Sequence, residues 1–184
     1  MHTPARALAA PQFPTLAELY RAHAPDVARW ARRLGGPLID VEDVVQEVFL
    51  VVHRQLPSFR AEAAITTWLF RITANVASHR RRKDRLRRWL RGTAEETGPE
   101  LASDEPDATS RIEQAQLSRR LYRVLDGMSE KYRTVLILFE LEEHSGEQIA
   151  ELMNARIGTV WVWLHRARAD FLERMKALEE KEGA

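Results

Sequence analysis

Residues 158–168 read GTVWVWLHRAR. On a helix, Trp161 and Trp163 stand two positions apart and so point about 200° away from each other. If one faces a core, the other must meet water or a partner. Arg156, Thr159, Val162, His165, Arg166 and Arg168 surround them with guanidinium, hydroxyl and apolar groups. Such a set suits a duplex: Arg166 for guanine or phosphate, Trp161 for thymine methyls. The plainer alternative has both tryptophans covering a neighbouring helix and the arginines solvated.

The residues before this stretch say how it is held. HSGEQIAELMNARIGTVWVWL has the pattern of a helix-turn-helix over residues 145–164 and the turn that follows. Ser145 with Gln148 three positions on matches a capping box. Ile149, Ala150 and Met153 supply an apolar face, Asn154-Ala155-Arg156 forms the turn, and Val160, Leu164, Ala167 and Phe171 carry the inner stripe.

A second set lies in FRAEAAITTWLFRITANVASHRRRKDRLRRWLR. Arg60, Thr66, Trp68, Arg71, Asn75, His79, Arg80 and Arg81 combine an aromatic ring, an amide and guanidinium groups. Such groups stack on unpaired bases and track phosphates. The alternative is that Trp68, which steps to Ile72, is core and the basic run is a frayed helix end.

The third set is acidic. In DVEDVVQEVFLVVHRQL, helical spacing aligns Asp43, Glu47 and Leu50, with Asp40 and Gln46 beside them. The carboxylates could hold a metal or move protons, but no histidine or glycine-rich loop converges on them. They could be a solvated face. They could also form a docking surface for a basic partner helix, with Leu50 and Phe49 as apolar anchors.

Helices must position all three sets. Leu16, Leu19, Tyr20, His23, Val27 and Trp30 recur at helical steps until Gly35-Gly36-Pro37. Asp40 then caps a helix whose stripe is Val41, Val44, Val45, Val48 and Val52. The valines suggest a strand on propensity alone, but their spacing is helical. Further helices are expected over 63–88, 112–125, 129–141, 145–153 and 157–178. The fold class is therefore all-α: two small helical domains joined by a flexible acidic linker. The boundaries are a tail at 1–13, a first domain at 14–91, the linker at 92–111, a second domain at 112–178 and a tail at 179–184.

Charge follows the same division. The formal net charge is +1. Residues 1–91 nevertheless carry 16 Lys and Arg against 8 Asp and Glu, and residues 92–116 carry 1 against 7. Near-neutrality thus does not exclude a nucleic-acid partner. The chain has no cysteine, which excludes disulfides and thiol-ligated metal and suits a reducing cytoplasm. Neither a secretory leader nor a membrane span is expected, and no metal, cofactor or small-molecule substrate is implied.

Taken together, the stretches resemble a bacterial RNA polymerase sigma factor of the sigma-70 family, extracytoplasmic-function group. DVEDVVQEVFLVVHRQLPSFR resembles its polymerase-binding helix, and TWLFRITANVASHRRR the segment that opens and reads the −10 element. The block from LDGMSEKYRTV to WLHRAR resembles the −35-binding domain. The resemblance implies that Asp40, Asp43, Gln46, Glu47 and Leu50 dock on the clamp helices of the core polymerase's largest subunit. It implies that the loop from Arg60 to Thr66, with Asn75, receives a flipped −10 base. The flap and promoter DNA are further implied partners, with control by an anti-sigma factor and no covalent chemistry in this chain. Where the family commonly reads G-T-V-R-S-R, this chain reads Gly158-Thr-Val-Trp-Val-Trp163, which implies weaker electrostatic anchoring and an altered −35 preference. A stand-alone DNA-binding regulator and an enzyme built on the acidic helix with His53 are the competing readings.

Overall fold

The computed structural model describes residues 14–60, 64–91 and 108–183. The tail at 1–13, residues 92–107 of the linker and residues 61–63 of the loop after Arg60 lie outside the described residues. Seven α-helices and no strand are present among the described residues.

The first three helices form one module. Helix α1 (Leu16–Gly35) starts from a capping box, in which the Glu18 amide donates to the Thr15 hydroxyl and the Thr15 amide donates to the Glu18 carboxylate at 2.7 Å. It stops at Gly36, whose φ of +87° favours glycine. A Cβ at Gly36 would also lie 2.8 Å from the Tyr122 ring. Helix α2 (Val41–Gln55) is capped by Asp40, which accepts from the Asp43 amide at 3.0 Å. Val44, Val48 and Val52 are fully buried, so helical spacing prevails over the strand propensity of valine. Helix α3 (Ile65–Arg91) packs on both, and Trp30 meets Phe70 edge to face with ring centroids 5.3 Å apart.

The second module follows. Helix α4 (Ala108–Gly127) begins inside the segment assigned to the linker, because Pro106 is the last breaker before Gly127. Helix α5 (Glu130–Leu136) starts at the Ser129 cap and widens into one π-helical turn, Ile137–Leu141. The short helix α6 (Gly146–Leu152) precedes the long α7 (Ile157–Glu182). Residues beyond 178 continue this helix rather than forming a tail, since Glu-Glu-Lys-Glu favours helix until Gly183. Val160, Leu164 and Ala167 are buried, as their spacing predicts.

The modules meet. Helix α6 packs against α3 and the π turn against α1, and the buried apolar side chains of both modules form one cluster. Charge segregation along the chain gives no hint of this arrangement.

Candidate nucleic-acid and protein interfaces

The acidic set stands on α2 as its spacing requires. Asp40, Asp43, Gln46 and Leu50 are exposed, and Glu47 is half-buried. Leu50, one turn beyond Gln46 and Glu47, is 61% exposed, an apolar side chain open to solvent. Arg80 reaches this face from α3: its Nε donates to Glu47 at 2.6 Å and a terminal nitrogen to Asp43 at 3.2 Å. The hydrogen bond to Glu47 holds the Arg80 guanidinium above its ordinary pKa. Among the described residues, no group of three or more His, Asp or Glu is placed to hold a metal.

The second set divides. Arg71, Asn75 and His79 are exposed and recur at four-residue steps on the outer face of α3. Trp68 begins the same stripe, half-buried, with its ring 4.7 Å from Phe59, while Thr66, two positions earlier, is half-buried off that stripe. Arg60 is exposed before the undescribed residues. Arg80 and Arg81 leave the stripe on opposite flanks. Arg80 turns to α2, whereas Arg81 reaches the second module and pairs with Asp126 at 3.0 Å and with Glu130. The basic run is continuous in sequence, but the helical turn sends Arg80 and Arg81 to separate carboxylate pairs.

The helix-turn-helix is built as its residues require. Ser145 and Gln148 form the capping box of α6, and Asn154 takes the left-handed conformation, φ 49°, in the turn. Arg156 precedes α7 at the N-cap position with no side-chain cap bond and is exposed, as are Val162, His165 and Arg166, and Thr159 is half-buried. Trp161 is 47% exposed, yet one edge of its ring is occupied. It stands edge-on to Phe139 at 5.9 Å and rests on Gly146, where an added Cβ would lie 2.6 Å from Cζ2. Trp163 faces the flank, half-buried, with the Lys131 ammonium 5.2 Å from its ring centre. Arg168 pairs with Glu140 at 2.8 Å and lies over Phe139, so it is engaged within the module.

Sequence reasoning missed the residues that join the modules. Arg133 is buried, with its guanidinium against Asp126, the Leu34 carbonyl and the Tyr122 ring. Burial pushes its pKa down to about 10, still well above neutrality, so it remains a buried cation needing those partners. One signal was available: Arg133 stands four positions before Ile137, on the same helical face as that apolar residue. Glu142, held between Arg29 and Arg33, carried none.

The two helical modules match two sigma-70 families in turn. The sigma-70 region 2 family matches residues 19–92, and sigma-70 region 4 matches residues 118–171. An ECF RNA polymerase sigma-E factor of Haemophilus influenzae is 34% identical over 155 residues, covering 77% of this chain and 81% of that protein. The ECF RNA polymerase sigma factor SigE of Mycolicibacterium smegmatis is 31% identical, covering 85% of this chain, which spans only 60% of that protein. The solved sigma factor RpoE, in complex with the anti-sigma factor NepR from Bartonella quintana, shares the fold. Its TM-score is 0.52 at 22% identity, covering 87% of this chain and 96% of that one. The chain belongs to the extracytoplasmic-function group of RNA polymerase sigma factors, the promoter-directing subunits of transcription initiation.

Proposed function

We propose that the chain docks on core RNA polymerase through the outer face of α2 and delivers two promoter-reading helices, α3 and α7, to the same initiation site. The carrying observation is that α2, α3 and α7 each present an exposed face of distinct chemistry. That of α2 is acidic around Leu50. That of α3 offers Trp68, Arg71, Asn75 and His79, and that of α7 offers Trp161, Val162, His165 and Arg166. The acidic face suits the basic clamp helices of the largest subunit, and charge complementarity there steers association and fixes register.

On α3, an indole, an amide and an imidazole within three turns suit an unpaired −10 strand, in which bases stack on rings and hydrogen-bond to the amide. Arg71 adds phosphate contact. On α7, Arg166 supplies the guanine or phosphate contact, and Val162 with the free edge of Trp161 supplies apolar surface for thymine methyls. Arg168 contributes less, because Glu140 already holds it. An anti-sigma factor of the kind that RpoE binds would control access to these faces. The chain makes and breaks no covalent bonds in this role and works in the cytoplasm, alongside polymerase.

The test is reconstituted transcription. Purified chain with core enzyme should initiate at defined start sites, mapped by sequencing RNA ends. Core enzyme that yields no chain-dependent start sites would refute the reading.

A further inference from the structure

Helix α7 turns one stripe straight away from its module. Val160, Leu164 and Ala167 are buried, and a turn of about 100° per residue sets Gly158, Val162, His165 and Ala169 on the opposite side. All four are exposed. The side chain that points outward from the first two turns is therefore that of Val162, 49% exposed and without a hydrogen-bonding group. Its stripe neighbours leave it open. A Cβ at Gly158 would meet nothing within 4 Å, and the side chain of Ala169 is a single methyl.

The flank beside Val162 is apolar too. Ile157 and Trp161, four positions apart, both rest on Gly146, where an added Cβ would lie 2.6 Å from the indole and 2.8 Å from Ile157. Phe139 holds the indole edge-on at 5.9 Å, so the ring is seated before any partner arrives. Arg168 is engaged by Glu140 at 2.8 Å, and Thr159 is half-buried on the other flank. Polar side chains for base edges begin one turn later, at His165 and Arg166, both exposed.

This pattern selects among base edges. In the major groove the bases present donors, acceptors and one apolar group, the C5-methyl of thymine. Setting Val162 against a carbonyl, an amino group or a ring nitrogen strips water from it and returns no hydrogen bond. Against a methyl group, both surfaces leave water with gain. 5-Methylcytosine carries the same methyl at the same ring position, while its partner guanine keeps the O6 and N7 acceptors that an arginine reads. Four residues of helix rise about 6 Å, roughly two base pairs at about 3.4 Å each. The methyl thus lies about two pairs from the base that Arg166 reaches.

We propose that Val162 is the specificity-determining residue of α7 and reads a pyrimidine C5-methyl group in the −35 duplex, so that 5-methylcytosine replaces thymine there and cytosine methylation strengthens the contact. The duplex is identified by the sigma-factor reading, on which the proposal rests; the chemistry of the stripe does not depend on it.

The full chain, alone and with core polymerase, is presented with a randomised duplex library. The enriched sequence is then remade one position at a time in two matched pairs, thymine against deoxyuridine and 5-methylcytosine against cytosine. Affinities are measured by fluorescence anisotropy at fixed salt. The expected result is a position at which each methyl raises affinity about fourfold, the worth of one buried carbon. In Val162→Ala, a change at an exposed position whose melting temperature is checked, both ratios fall close to one. Arg166→Ala weakens all four duplexes alike. Ratios near one at every position, ratios that survive Val162→Ala, or a library from which nothing is enriched overturns the proposal. Start-site mapping with the same samples separates the two readings. Chain-dependent start sites with methyl-blind binding sink the methyl contact alone. Methyl-dependent binding without chain-dependent start sites sinks the sigma-factor reading and leaves the contact standing.

Discussion

The Nε of Arg80 donates to the Glu47 carboxylate at 2.6 Å, so a residue expected to hold promoter DNA is paired with one expected to hold polymerase. This pairing changes how the docking face must be tested. Charge reversal at Asp43 and Glu47 would abolish docking and also strand Arg80. Gln46→Arg and Leu50→Arg alter exposed positions on the same face. Each is expected to cut core binding at least about tenfold, as hot-spot loss does, with an unchanged melting temperature. Arg80→Gln should cost about 0.2–1 kcal/mol of stability, the worth of a partly exposed pair. Affinity for core enzyme and thermal unfolding check both.

Trp161 and Gly146 form one packing unit. Gly146→Ala would place a methyl 2.6 Å from the indole and 2.8 Å from Ile157, so the ring must move. A cost of about 1–2 kcal/mol is expected, in the range of overpacking. Trp161→Ala should remove the indole's share of that cost in the double variant, leaving the contact with Ile157. A double-mutant cycle of unfolding free energies measures the coupling, and additive values would show that the ring does not rest on Gly146.

Promoter reading by α7 should fall unevenly on its arginines. Arg166→Ala is expected to weaken binding to −35 duplex by about 1–3 kcal/mol, the range for a base-contacting arginine. Arg168→Ala should weaken it less, because Glu140 and Phe139 already engage that side chain. Trp163→Ala should leave DNA affinity near wild type and lower thermal stability. Titrations by fluorescence anisotropy at fixed salt rank the three.

Acid should loosen the start of α1. Hydrogen bonds from the Thr15 amide and hydroxyl hold the Glu18 pKa below the ordinary carboxylate value. A depressed acid contributes stability that is present above its unfolded-state pKa and lost as pH falls through the lower folded-state value. Glu18→Gln should therefore melt below wild type at neutral pH, with the gap closing as pH drops beneath the ordinary glutamate range. Melting temperatures measured down that range test it, and a gap that persists at the acid end would exclude the linkage.

The sequence by itself determined the helices, their caps and the composition of each face. Thr15, Asp40 and Ser145 act on amides three positions away, and the stripes of α2 and α7 repeat every three or four residues. Such information is local, so reading along the chain recovers it. The same reading missed the extension of α7 past residue 178 only because the chain's last residues carry no apolar stripe.

Which charges stay free was decided by tertiary structure alone. Arg80 and Glu47 are 33 positions apart, and Arg29 and Glu142 are 113 apart. No periodicity connects such pairs. Whether an arginine is a DNA contact, a clasp or a buried cation depends on which helix lies within about 3 Å of its guanidinium. Only the packing of α3 against α2 and α6, and of the π turn against α1, sets that distance.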